Sequence, residues 1–160
     1  MKRDGLRLSG VLPTLLLAWF IHLLLMASAA ALLPRPTPGV AGLLPFKVLR
    51  EELHWYRRLG IRHFNRLLEF TRWNRVVRSM RRFGGTRGEL WILAEETWRS
   101  ELVHGWSALT ALWTALLLGR LFPSLAGWLL LLSVPLHLYP IMLQRTLRGR
   151  IQQLTGTCTH

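Results

Sequence analysis

Glu101 and His104 stand three residues apart in "RSELVHGWSALTALW", where a charged stretch gives way to an apolar run. On a helix this spacing puts both side chains on one face, a turn apart. A carboxylate so placed can orient an imidazole and stabilise its charged form, which suits His104 to general base work. His137 lies inside the next apolar run, in "SVPLHLYPI". A hairpin of the two runs brings it toward His104. One histidine then deprotonates a hydroxyl nucleophile, while His137, Tyr139 or Arg145 offers a donor to the developing oxyanion. Glu101, His104 and His137 are therefore the catalytic candidates.

Each has a plainer reading. Glu101 can snorkel toward local cations, His104 can bond a backbone carbonyl, and His137 can be a packing histidine beside a proline bend. His22 has no nearby acid and no local motif, and reads as a satisfied helix-contact histidine. Glu101, His104 and His137 are all capable of binding zinc, but no metalloprotease signature accompanies them, so neither metal nor cofactor is assigned. Cys158 is the only cysteine, which excludes an internal disulfide.

Arg145, Arg148 and Arg150 follow the last apolar run in "QRTLRGR". They suit lipid phosphates or a phosphate-bearing acyl donor, and equally suit headgroup anchoring. Trp98 and Trp106, with Trp91, Trp113 and Trp128, either line an elongated hydrophobic groove or form the aromatic belt of a membrane interface. The glycines of "RRFGGTRG" lack the spacing and strand context of a nucleotide site.

The elements that must position these groups are helical. Val11 to Leu33 contains no formally charged residue and is long enough for a bilayer core of about 30 Å. Two further apolar runs follow, Leu102 to Leu118 and Leu121 to Leu143. The opening "MKRDGLR" and the small residues of "ASAAA" resemble a secretory signal, yet the run exceeds a signal core of roughly 7 to 15 residues, which favours a retained helix. "PRPTPG" ends it. From Val40 to Gly88 the chain is basic and amphipathic: Phe46, Leu49, Leu53 and Tyr56 share one face, Gly60 interrupts, and Ile61, Phe64 and Leu68 begin another. Such helices suit the membrane interface; a cytosolic helical domain burying the same faces is the alternative. A helix starting near Glu89 runs unbroken into the second apolar run, "GRLFPS" makes a tight turn, and Pro135 with Pro140 bends the third run.

The fold expected is an all-α integral membrane protein, a single domain over 1–160 with about three apolar helices and amphipathic interfacial ones. Its parts are a first apolar helix at 11–33, a basic amphipathic segment at 40–88, a long helix and membrane hairpin at 89–143, and a basic tail at 144–160. A formal charge of +13 admits nucleic acid or anionic lipid as partner, and the long apolar runs favour lipid over nucleic acid. Arg35 to Leu102 carries 14 Lys/Arg against seven Glu, which places this loop and the tail on the cytoplasmic side of a bacterial cell membrane. Lys2, Arg3 and Arg7 favour a cytoplasmic N-terminus too. Three simple crossings cannot satisfy both, so the first helix either overrides its own flank or is a re-entrant or interface-bound element.

"RSELVHGW" followed by "HLYPIMLQRTLRGRI" resembles the small membrane acyltransferases typified by glycosyl-4,4'-diaponeurosporenoate acyltransferase, with a weaker echo in "FTRWNRVV". The resemblance sets Glu101, His104 and Trp106 against an acidic residue, histidine and tryptophan of the family pattern. Tyr139, Pro140, Gln144, Arg145, Arg148 and Arg150 fall on its later portion. His137 stands where the family has asparagine, Thr146 and Leu147 replace a tyrosine-asparagine pair, and no aspartate turn follows Trp73. The resemblance implies transfer of a fatty acyl group from a thioester donor to a hydroxyl of a glycosylated carotenoid or related glycolipid. It implies substrate contacts by Trp73, Trp98, Trp106, Tyr139, Gln144, Arg145, Arg148 and Arg150. A noncatalytic scaffold for a lipid pathway is the competing reading, and a lipid carrier a third that needs a homo-oligomer to enclose a route.

Overall fold

The computed structural model describes residues 8–33, 47–72 and 84–155, and among these the secondary structure is entirely helical. Helix α1 spans Leu8–Leu32, α2 Arg50–Arg58, α3 Ile61–Phe70, α4 Leu90–Leu118, α5 Pro123–Ser133 and α6 Tyr139–Thr155. A short 3-10 turn, Arg87–Glu89, leads into α4. The chain falls into two compact units, one of α1 with Val103–Leu138, the other of the described parts of 33–102 with 139–155.

The first unit is built inside out relative to a water-soluble domain. Its core is small or slender: Ala18 of α1, Ala115 of α4, and Leu125, Ala126 and Leu129 of α5. Large apolar side chains point outward, among them Leu16, Phe20, Trp113, Leu117 and Leu131. Small residues let helix backbones approach, and an apolar exterior of this extent is consistent with a membrane surface. Helix α1 has the length and hydropathy to cross a bilayer, yet only 17% of its apolar window is buried by the chain, so it is no core helix of a soluble fold. The stretch Pro123–Thr155 also meets the length and hydropathy of a crossing. Polar side chains here satisfy themselves on their own helix, as where Ser107 Oγ donates to the Val103 carbonyl at 2.7 Å and Thr114 Oγ1 to that of Thr110 at 2.8 Å.

Between α5 and α6 lies one π-turn, Val134–Leu138. Pro135 has no N–H to give the carbonyl four residues back, so the regular ladder cannot continue through it. The expected break in the third apolar run takes this form, and His137 is its buried residue.

The second unit stacks α2 and α3 on α6. Glu51 and Glu52 open α2 while Arg57 and Arg58 close it, matching the helix dipole at both ends. Gly60 turns the chain into α3 at φ 81°, a left-handed conformation that costs glycine nothing. Val48 N donates to Gln152 Oε1 at 3.2 Å, tying the entry of α2 to α6. Gly149 allows close approach on the same side, because a Cβ there would lie 3.0 Å from Leu53 Cδ1. Trp55, Leu59, Leu67 and Phe70 remain exposed on α2 and α3, and the Arg58 guanidinium sits 5.4 Å from the Trp55 ring centre.

Candidate functional site

In the first unit, three histidines meet in series. His22 of α1 is fully buried, with Nε2 3.0 Å from the Leu129 carbonyl and Nδ1 2.8 Å from His137 Nε2. His137, also fully buried, faces His104 Nδ1 with its own Nδ1 at 3.5 Å, the outer limit of a hydrogen bond. A carbonyl only accepts, so His22 Nε2 must carry a proton, and in a neutral ring Nδ1 is then a lone pair. His137 Nε2–H has to donate to it. That leaves His137 Nδ1 as an acceptor, so the proton shared with His104 comes from His104 Nδ1. The Leu129 carbonyl thereby sets the tautomers of His22 and His137 and leaves His104 Nδ1 the donor toward His137.

In the second unit, the arginines of α6 meet two carboxylates. Arg145 grips Glu52 with Nε at 2.9 Å and Nη2 at 2.7 and 3.0 Å, and Glu101 with Nη1 at 2.8 Å. Arg148 Nη2 pairs with the other oxygen of Glu101. Tyr56 Oη donates to Glu52 Oε2 at 3.1 Å. Burial pushes the Tyr56 phenol above its ordinary pKa, and the neighbouring Glu52 charge adds to the rise. Two cations and two anions cancel in this cluster. Arg148, at 9% side-chain exposure, still has Nε and Nη1 buried without a hydrogen-bond partner.

The sequence candidates are thus distributed as follows. Glu101 and His104 do occupy consecutive turns of α4. The polar partners of Glu101 are Arg145 and Arg148, and the side-chain partner of His104 is His137. Tyr139 spends its hydroxyl on the Leu59 carbonyl at 2.9 Å and stacks near Phe64 at 5.0 Å. Gln144 is buried and, with Arg150, lines a groove of about 820 Å3 in the second unit. Trp98 is half-buried and Trp106 exposed, and neither lines that groove. Trp73 lies outside the described residues. Sequence reasoning missed two partners. Glu52 looked like one acid in a basic loop, and His22, 115 residues from His137, carried no local signal.

Helices fit for a bilayer, an outward apolar surface and buried polar clusters define a small, all-helical, membrane-associated protein. Residues 42–157 match the family model for glycosyl-4,4'-diaponeurosporenoate acyltransferase, and the chain belongs to that family. It is an acyltransferase acting on a carotenoid-type glycolipid. No curated protein and no solved structure matches it.

Proposed function

We propose that this enzyme moves a fatty acyl group from a thioester to a sugar hydroxyl of a glycosylated carotenoid or related glycolipid, with His104 as the general base. The hydroxyl proton passes to His104 Nε2 as the oxygen attacks the thioester carbonyl. The C–O bond forms, the C–S bond breaks, and the proton leaves with the thiolate as a thiol. His137 and His22 act as positioning residues that fix the His104 tautomer. The support for this is the series of hydrogen bonds ending on the Leu129 carbonyl.

Glu101 holds Arg145 and Arg148 in place as the cations that contact substrate. Gln144, Arg150, Tyr139, Trp98, Trp106 and Trp73 contribute substrate contacts. The apolar half of α4 crosses the bilayer as a third span beside the two of sufficient length, with α2 and α3 lying at the interface. The basic loop and tail face the cytoplasm of a bacterial cell.

A direct assay combines purified protein in lipid nanodiscs with glycosylated carotenoid and an acyl thioester, followed by mass analysis of the product. Wild type forms the ester and His104→Ala does not. Full activity of His104→Ala removes the base assignment.

A further inference from the structure

Two groups stand out among the arginines of the second unit. Arg145 and Arg148 are neutralised by Glu52 and Glu101. Arg57, Arg62, Arg66 and Arg150 are exposed, pair with no carboxylate among the described residues, and line one groove of about 820 Å3. Among the described residues the only acid on that groove, Glu69, already accepts from Asn65 Nδ2 at 2.7 Å. Four arginines against one glutamate leave a formal excess of three positive charges. Arg57 is held by its Nε, which donates to the Leu53 carbonyl at 3.2 Å, so its terminal N–H groups stay available.

Four exposed guanidiniums from three helices line one concavity, and their summed field attracts an anion. Arginines that merely anchor a helix to headgroups spread along its outer face. The floor here is apolar, formed by Leu53, Ile61, Leu143 and Leu147. The volume falls in the range of sites for whole small molecules, far beyond a single phosphate.

We infer that this groove binds the phosphate-bearing handle of a soluble acyl thioester, with Arg57, Arg62, Arg66 and Arg150 on the phosphates and the apolar floor under the arm that carries the acyl chain. The assignment rests on the acyl-transfer reading above and adds the donor class and its site. Guanidinium forks match phosphate oxygens in pairs, which makes these residues selective for a multiply phosphorylated ligand.

Coenzyme A alone is the probe, titrated calorimetrically into the full chain in nanodiscs of neutral phosphatidylcholine. Wild type binds it, and affinity falls steeply as salt rises from about 50 mM to about 500 mM. Arg62→Gln/Arg66→Gln/Arg150→Gln weakens binding on the order of 100-fold, Arg150→Gln alone about tenfold, and Arg120→Gln, an exposed arginine outside the groove, leaves it unchanged. Because the substituted arginines are exposed, the variants retain the wild-type circular dichroism spectrum.

Unchanged coenzyme A affinity in the triple variant overturns the inference. So does absence of coenzyme A binding together with groove-dependent binding to phosphatidylglycerol vesicles, which assigns the groove to a lipid headgroup. Ester formation with an unaltered donor KM in the triple variant sinks this proposal and leaves the acyltransferase mechanism standing. Groove-dependent coenzyme A binding with no ester from any acceptor does the reverse.

Discussion

Glu101→Ala is expected to destabilise the chain by about 3 kcal/mol, the low end of the range for breaking one side of a buried ion pair. Arg145 survives the change well, since Glu52 still holds it through three contacts of 2.7 to 3.0 Å. Arg148 does not, because Glu101 is its only carboxylate among the described residues and two of its nitrogens are already unbonded. A guanidinium at 9% exposure is then left without an anion. The low end applies because Glu101 is itself 17% exposed, so water screens part of the interaction. Glu101→Gln keeps an acceptor oxygen and should cost roughly half as much. Removing the stranded cation restores balance, so the loss in Glu101→Ala/Arg148→Met should fall short of the summed single losses by about 2 kcal/mol. Reversible unfolding of the four proteins in mixed micelles, followed by circular dichroism, measures this coupling. A coupling within about 0.5 kcal/mol of zero refutes the claim that Glu101 exists to neutralise Arg148.

Three further outcomes test other parts of the structure. His22→Leu should lower kcat at least tenfold on the order expected for a misplaced base, with KM for the acceptor nearly constant, and His22→Gln should restore part of it, since an amide both donates and accepts; equal loss in both variants argues for packing alone. Gly149→Leu should destabilise the second unit by about 1 to 3 kcal/mol, because a Cβ already meets Leu53 at 3.0 Å and the larger side chain must displace α2; an unaltered unfolding midpoint contradicts the contact. The chain has only two tyrosines, so in a Tyr139→Phe background the absorbance of phenolate reports Tyr56 alone. Its midpoint should lie above the ordinary value of 10.0 and fall in Glu52→Gln. A phenol raised in the folded state adds stability below its unfolded pKa that is lost as pH climbs through the folded one, so alkaline unfolding should begin in that window.

Local order was legible in the sequence because its causes are local. Gly60 ends one amphipathic face and begins the next, α1 ends at Leu32, and Pro135 breaks the last apolar helix as a residue without an N–H must. The spacing of Glu101 and His104 was also read correctly as two turns of one helix. What spacing could not supply was the competition for the Glu101 carboxylate. A guanidinium offers charge and a planar fork of donors, so Arg145 and Arg148, more than 40 residues away in sequence, are stronger partners for it than a neutral imidazole. His22 was illegible for another reason. Its meaning depends on His137, and the contact spans 115 residues.

That contact also explains why His137 tolerates complete burial. An imidazole with an unmet nitrogen in an apolar core carries the desolvation cost of that group, about 1 to 3 kcal/mol. His137 meets a histidine at each nitrogen, and the buried end of the series rests on a carbonyl that can neither move nor change its hydrogen-bonding sense. Three rings with their protons ordered in one direction specify which nitrogen of His104 keeps its lone pair, and a base is useful only when that nitrogen is fixed before the substrate arrives. The part of the series that supplies this order, His22 on α1, lies outside residues 42–157, the stretch that matches the acyltransferase family. Helix α1 therefore supplies the terminal hydrogen bond on which the proposed base depends.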